Sequence, residues 1–432
     1  MKIALISPKG KFFESYKEYK DVWMGISKDS LYRKFHSGFG LALLTIAALT
    51  PKSFKIKLID ENFDSIDFNE KFDLIGLTGM TQQALRAYEI ADEFRKRGIR
   101  VVIGGIHATV LPEEAKEHVD SVIIGEGEEL WPKFLDDFKR GNIKPFYKTS
   151  NLTDLSKSPV PRYDLLNPKN YNVVWIQATR GCPHDCDFCA ASKIYGFKFR
   201  HKKVGQVIEE IKAMLKIWGR GILVSFTDDN MFVDRKYSVE LVEKLIPLKI
   251  RWFAQTDVSV ARDENFLKLL RKSGCAFLFI GFETLSKEGL TFIDRTNWKV
   301  KQLSFYKQAV NAIQSNGMGV FGAFMLGLDS DSLSIFDKVI DFIDENNLYA
   351  SQITILTPLP GTRLRERLKK EKRLLSKNWD DYTFLKATFT PNLMTAKELE
   401  EGLFKVYRGI YNRRMNIKRA KYFKTIYANL TK

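Results

Sequence analysis

Cysteine is scarce in this chain, which has four in 432 residues. Three of them, Cys182, Cys186 and Cys189, lie within eight residues of one another. An odd number of thiols in so short a loop cannot pair, and the ring closures would be strained, so a disulfide framework is excluded. No run of eighteen apolar residues occurs, which excludes a membrane-spanning helix. The opening Met1-Lys2-Ile3-Ala4-Leu5-Ile6-Ser7-Pro8 lacks the long apolar core and cleavage site of a secretory signal and reads as a strand. A cytoplasmic protein with reduced thiols is expected. Acidic residues are missing from Val406 to Lys432, a stretch with eight basic ones.

The apolar content of 44% and aromatic content of 13% provide ample core, and the length suggests two domains, with room for an appendage. The net charge is +17. Residues 1–150 are almost neutral, with 23 Lys and Arg against 22 Asp and Glu, so the excess lies downstream. A basic tail of that kind can meet a membrane surface or nucleic acid, and it is equally what a solvated basic helix looks like. No recognisable nucleic-acid motif accompanies it, so no nucleic-acid partner is expected.

Short apolar runs alternate with amphipathic stretches along the first 125 residues. Lys2–Ser7, Lys55–Ile59, Asp73–Thr78, Arg100–Gly104 and Ser121–Gly125 are the expected strands, and 82–97 has helical spacing. This alternation predicts a doubly wound, Rossmann-like α/β domain, which binds ligands at the carboxyl ends of its strands. Those ends carry Asp60-Glu61-Asn62, Gly79-Met80-Thr81, Gly104-Gly105-Ile106-His107 and Gly125-Glu126-Gly127-Glu128. Glycine there lets a bulky ligand approach the backbone.

Residues 126 to about 170 read as a connector with one helix near Trp131–Phe138 and turn chemistry at Ser156 to Pro161. Strands then resume at Val173–Ala178, Ile222–Thr227, Arg251–Gln255, Phe277–Gly281, Gly319–Leu326 and Ser351–Thr357. Beyond 365 the pattern is helical and charged, with Trp379, Tyr382 and Phe384 as anchors and Thr395 as a helix cap. Cys275 sits in an apolar strand entry and reads as a buried structural thiol.

The segment Thr179-Arg180-Gly181-Cys182-Pro183-His184-Asp185-Cys186-Asp187-Phe188-Cys189 holds C-x3-C-x2-C. A compact loop with three thiolates suits three corners of an iron–sulfur cube and leaves the fourth iron open. A zinc site completed by His184, or a loop without metal, are the alternatives. Structural zinc usually staples separated ligand pairs, and no second pair exists here.

With Phe188 before its third cysteine, this loop resembles the cluster loop of the radical S-adenosylmethionine superfamily. The Gly104–Glu114 and Gly125–Glu128 runs upstream resemble the cobalamin-binding domain of one large class in it, as does His36-Ser37-Gly38-Phe39-Gly40. The resemblance implies a cobalamin-binding domain at 1–140, a linker at 141–170, a radical SAM partial (β/α)6 barrel at 171–365 and a mainly helical basic extension at 366–432. It implies a [4Fe–4S] cluster on Cys182, Cys186 and Cys189. S-adenosylmethionine would be contacted by Phe188 near its adenine, by Asp228 and Asp229 at its amino group and by Glu283 at its ribose, with Gln255 and Gly327 in the same pocket. Cobalamin would meet Asp60, Glu61, Asn62, Gly79, Met80, Thr81, Gly104, Gly105, His107, Gly125, Glu126, Gly127 and Glu128. The D-x-H-x-x-G pattern of cobalt ligation is absent, since no histidine has an aspartate two positions before it. His107 is therefore expected to line the nucleotide pocket or to cap the following turn, and not to ligate cobalt.

The implied activity makes a 5′-deoxyadenosyl radical and uses methylcobalamin to methylate an unactivated carbon of a small-molecule or lipid substrate. The same domains also support a cyclase or rearrangement enzyme without methyl transfer. A metal-stapled nucleic-acid-binding protein is the non-enzyme alternative. An electron donor such as flavodoxin or ferredoxin is implied, and the C-terminal region resembles that of relatives acting on hopanoid-type lipids, which would suit peripheral membrane contact.

Overall fold

The computed structural model describes residues 1–11, 39–149 and 151–430. Of the His36–Gly40 loop, His36, Ser37 and Gly38 fall outside the described residues.

The N-terminal sheet is built from β1 (Lys2–Ser7), β2 (Lys55–Asp60), β3 (Leu74–Thr78), β4 (Arg100–Gly104), β5 (Ser121–Ile124) and β6 (Phe146–Lys148). Its order is β2-β1-β3-β4-β5-β6, all parallel. In β1 the four central residues are all buried, as expected where helices cover both faces of a parallel sheet. Helix 84–96 turns Ala87, Tyr88, Ile90, Ala91 and Phe94 inward on one stripe and leaves its charges outside. Helix 41–49 and helix 127–139 pack on the other face, and a Cβ on Gly76 of β3 would stand 2.8 Å from Leu5. The short edge strand β6 lies in what reads as connector, because three residues are too few to give a period.

The second sheet contains β7 (Val173–Ile176), β10 (Leu223–Phe226), β11 (Arg251–Thr256), β12 (Cys275–Glu283), β13 (Gly319–Leu326) and β14 (Ala350–Ile355). They run parallel in the order β14-β13-β12-β11-β10-β7. The outer two do not pair, so the sheet curls into an open, partial barrel. Between β7 and β10 a small antiparallel ribbon joins β8 (Thr179–Arg180) to β9 (Arg200–His201). Cys275 is wholly buried at the start of β12, as its apolar context predicts.

The two sheets share one continuous apolar cluster that runs from Ile3 and Trp131 through Tyr171 and Val174 to Ile410. Polar ties reinforce it: Tyr171 donates its hydroxyl to Asp60 at 2.9 Å, and the Arg162 amide donates to the Leu44 carbonyl at 3.1 Å. The extension returns to the first domain, where Trp379 and Tyr382 are buried in the core around helix 84–96. The indole of Trp379 donates to Glu114 at 2.9 Å. Helix 396–410, capped by Thr395 with Glu398 in a reciprocal box, packs on helix 334–345 and β14. Helix 413–430 carries the basic tail, but Arg414 and Lys418 reach Asp344, and Arg419 is buried on the Ile410 carbonyl. Among the described residues no helix is long and apolar enough to cross a membrane.

Gly402 is the contact point between helix 396–410 and helix 334–345, since a Cβ there would overlap the Phe336 ring. Gly402→Ala is expected to lower stability by about 1–3 kcal/mol through overpacking, despite alanine's better helix propensity. Urea unfolding would detect this as a reduced midpoint. An unchanged or raised midpoint would refute the packing.

Candidate functional site

The carboxyl end of β7 leads through Gln177 and Ala178 into β8 and then into the cysteine loop. Such a loop has no ladder of its own, so its backbone amides need outside acceptors. Two adjacent carboxylates at the end of β10 supply them. Asp228 is fully buried and accepts from the amides of Thr179 at 2.5 Å and Ala178 at 3.3 Å. Asp229 accepts from the Gly181 amide at 3.0 Å. Gly181 has φ +89°, and a Cβ on it would run into the Lys198 carbonyl, so only glycine fits this turn.

The far side of the loop is equally held. Arg363 reaches Asp187 at 2.6 Å and Asp185 at 2.5 Å, and the Leu364 amide donates to the Asp187 carbonyl at 3.1 Å. Cys186 pairs as an isolated bridge with Asp294, and the Asp187 amide donates to the Ile293 carbonyl. His184 places Nε2 3.0 Å from Asp257 and its ring 4.3 Å from that of Trp298. Burial would raise the Asp257 carboxyl, but His184, Ser259 and Asn230 hold it down to about 2.

The three cysteines form no disulfide. Burial pushes the Cys182 thiol up to about 11 and the Cys186 thiol higher still. Each feels Cys189, and both feel the Lys299 ammonium, which eases their ionisation. Thiols so placed become thiolates when a metal centre supplies the positive charge. A lone zinc would draw its sulfurs to about 2.3 Å from one point. Thiolates set on the corners of a cube need a wider spread, and His184, the fourth ligand of the zinc alternative, is occupied by Asp257. The donor set fits an iron–sulfur cluster better than zinc.

Glu283 ends β12 with φ +67°, an unusual conformation for a non-glycine residue. Its carboxylate is 3.0 Å from Lys299 Nζ, and Gly281 leaves room for it, because a Cβ there would stand 2.5 Å from Glu283 Oε1. Lys299 is almost wholly buried. Desolvation would lower its pKa, yet Glu283 and Cys186 hold it well above the ordinary value. Gln255 is half-buried at the end of β11, and its carbonyl accepts from the Met231 amide at 3.0 Å. Gly327 follows β13 with φ +92°, its amide held by Asp331, and Phe188 is half-buried against the main core. These strand ends gather around one mouth of the barrel, next to the cysteine loop.

Asp228 requires correction. Expected at an amino group of a ligand, it has zero exposure and both oxygens on backbone amides, so it organises the loop from beneath.

Other corrections fall at the first sheet's strand ends. Glu126 is buried and accepts from Arg180, Arg200 and the Thr153 amide, and Glu128 lies 2.6 Å from Arg180 Nη2, an ion pair without hydrogen-bond alignment. Glu61 pairs with Arg86, and Asp60 accepts from Tyr171 and Asn62. These carboxylates hold protein groups. His107 is 2% exposed, with Nε2 3.1 Å from Glu114 and Nδ1 3.4 Å from Thr81, so both ring nitrogens have partners. Met80 is exposed on the rim after β3, and Gly105 and Gly125 have φ of +92° and +94°. A Cβ on Gly105 would stand 2.5 Å from Thr78 Oγ1, whereas one on Gly125 would meet open space. Gly79 accepts from the His107 amide, Gly104 lies beside Ile123, and Gly127 admits Ile46.

Sequence reading missed Lys299, Arg180, Arg200 and Asp257. Arg180 could have been found from its place two residues before Cys182. The others become neighbours of the loop only through the fold.

An open α/β barrel with a three-thiol loop at the ligand end of its first strand, preceded by a Rossmann-like sheet, defines a class of cofactor-dependent enzymes. The Radical SAM superfamily pattern matches residues 176–343, and the B12 binding domain pattern matches residues 37–135. Bacteriochlorophyllide d C-12(1)-methyltransferase of Chlorobaculum tepidum is 33% identical over 86% of this chain and 82% of its own length. Bacteriochlorophyllide d C-8(2)-methyltransferase of the same organism is 29% identical over 80% of each chain. The cobalamin-dependent S-adenosylmethionine radical enzyme OxsB shares the fold, with a TM-score of 0.71 and 14% identity over 98% of this chain and 70% of that one. The chain therefore belongs to the radical SAM superfamily, among its members with a cobalamin-binding domain. Its cofactors are a [4Fe–4S] cluster, S-adenosylmethionine and cobalamin.

Asp228→Ala would leave two buried amides without an acceptor, at about 1–3 kcal/mol each. Iron retained after anaerobic gel filtration is expected to fall by more than half in the alanine variant and by less in Asp228→Asn, which keeps one of the two acceptors. Equal iron in all three proteins would remove Asp228 as the loop's anchor.

Proposed function

We propose that this enzyme methylates an unactivated carbon of a hydrophobic small molecule or lipid. The observation that carries this reading is the juxtaposition of two ligand ends, since Glu126 and Glu128 after β5 contact Arg180 at the entry to the cysteine loop. A radical made at one end can thus be used beside a corrin at the other. The methyltransferase names of the two relatives support transfer of a methyl group.

In this reading Cys182, Cys186 and Cys189 hold the cluster. Glu283, steadied by Lys299, meets the ribose of S-adenosylmethionine, and Asp229, Gln255, Gly327 and Phe188 border the same molecule. Gly79, Met80, Thr81, Gly104, Gly105, His107, Gly125 and Gly127 border cobalamin. Bound there, the cluster would supply the electron that cleaves S-adenosylmethionine, and methylcobalamin would supply the methyl group. The chain's own residues orient the cofactors, keep the loop rigid and exclude water. An electron donor of the flavodoxin or ferredoxin type completes the cycle. Residues 1–140 form the cobalamin domain, 141–170 the linker, 171–365 the radical domain and 366–432 the extension that closes over both.

Product analysis tests the reaction. Anaerobic turnover with S-adenosylmethionine carrying a deuterated methyl group is expected to yield 5′-deoxyadenosine and S-adenosylhomocysteine in equal amounts, with label in the product. 5′-Deoxyadenosine without S-adenosylhomocysteine would replace methyl transfer by cyclisation or rearrangement.

On helix 413–430, Arg413, Lys421 and Lys424, with the exposed Ile417 among them, make a basic stripe suited to an anionic membrane. Flotation with phosphatidylserine vesicles is expected to carry the native chain and to lose the variant Arg413→Glu, Lys421→Glu, Lys424→Glu. Truncation at residue 405 would be a poor test, because Val406, Tyr407 and Ile410 are core residues. Equal flotation of both proteins would remove the stripe as a membrane contact.

A further inference from the structure

Two arginines that stand side by side on the ribbon before the cluster loop are held by carboxylates from the other domain. Arg180 and Arg200 are directly opposed partners in the β8–β9 pair, an arrangement that repels unless neutralised. Glu126 neutralises both. Its Oε1 accepts from Arg180 Nη1 at 3.1 Å and Arg200 Nη2 at 3.0 Å, and its Oε2 from Arg200 Nη1 at 2.9 Å and the Thr153 amide at 2.8 Å. Glu128 meets the remaining terminal nitrogen of Arg180 at 2.6 Å, and Gln177 accepts from Nε at 2.7 Å. All three nitrogens of Arg180 are thus engaged, and its guanidinium also lies over the Tyr195 ring. Burial alone would raise the Glu126 carboxyl, but the arginines hold it below the ordinary value.

Both ends of this network are chemically significant. Gly125, with φ +94° and open space beside it, begins the carboxylate loop at the ligand end of β5. At the other end Arg180 precedes Gly181 and Cys182, and Gly181 is itself pinned by Asp229 and the Lys198 carbonyl. A shift of the Gly125–Glu128 loop therefore reaches Cys182 through buried charge contacts and one glycine with no alternative conformation.

We propose that Arg180 is a positioning residue that couples the two cofactor sites. Ordering of the Gly125–Glu128 loop by cobalamin tightens the cluster loop, and by reciprocity a filled cluster loop favours cobalamin. The proposal rests on the reading that this loop borders cobalamin. The sequence motif there is accordingly an anchor for the cysteine loop, with its backbone and not its carboxylates facing the corrin.

The test uses the full chain, reconstituted anaerobically with iron and sulfide, with and without hydroxocobalamin. Iron extraction by bathophenanthroline disulfonate is timed, and the dithionite-reduced cluster is followed by electron paramagnetic resonance. Hydroxocobalamin is expected to slow extraction from the native protein by about fivefold or more, the lower range of coupling between sites. In Arg180→Gln the cobalamin absorbance is retained but the ratio of rates falls to one, and the cluster signal no longer changes when cobalamin is added. Arg180→Lys, which keeps the charge and loses the fork, gives an intermediate ratio. Glu128→Gln leaves the Arg200 contacts intact and serves if Arg180→Gln does not fold. An undiminished ratio in the variants, or no slowing in the native protein, would overturn the proposal. Methyl transfer measured on the same native sample separates the two readings, since its absence with the coupling intact defeats only the reaction, and its presence without coupling defeats only this inference.

Discussion

A loop that carries three sulfurs cannot fold into a helix or strand and still spread them to a cluster, so its backbone must be held from outside. Most of the polar design around residues 178–189 follows from this constraint. Asp228 and Asp229 take the amides at its entry, Asp257 fixes His184, and Arg363 clamps Asp185 and Asp187. These partners come from three separate connections, after β10, β11 and β14. The loop therefore takes this form only when the strands of the open barrel are assembled. Burial in this frame raises the thiols of Cys182 and Cys186 above their ordinary range.

The cobalamin-binding half is tied into the same frame. Its apolar core is continuous with the barrel, and its strand-end carboxylates reach the ribbon that opens the cysteine loop. The C-terminal extension adds a second tie, with Trp379 bound to Glu114 and packed edge-on at 5.2 Å from His107. Glu114 in turn accepts from Tyr88, so one carboxylate joins a helix of the first sheet, His107 and the extension. Two domains joined at several buried polar points hold a fixed distance between their ligand ends, which is what chemistry shared between two cofactors requires.

Charge was the least reliable signal in the chain. The basic surplus after residue 150 suggested an anionic partner, but Arg180, Arg200, Lys202, Lys299, Arg363 and Arg373 all sit in ion pairs within the fold. Part of the tail also serves Asp344. Composition counts such residues as surface charge because it cannot register their partners.

The sequence by itself determined the strand–helix alternation, the order of the two sheets' strands in the chain, the three-thiol loop and the family. Each depends on short-range pattern: apolar runs, glycine after strands, and cysteine spacing. It also showed the Thr395 cap and the buried character of Cys275. Only the tertiary structure decided what the polar strand ends do. Asp228, Glu126 and Glu128 look like ligand contacts in one dimension because a carboxylate after a strand is chemically ambiguous. Burial and the arrival of amides or arginines from distant segments settle that ambiguity, and no local pattern encodes them. Lys299 and Asp257 were invisible for the same reason, since their partners lie across turns of the barrel that exist only once the chain has folded.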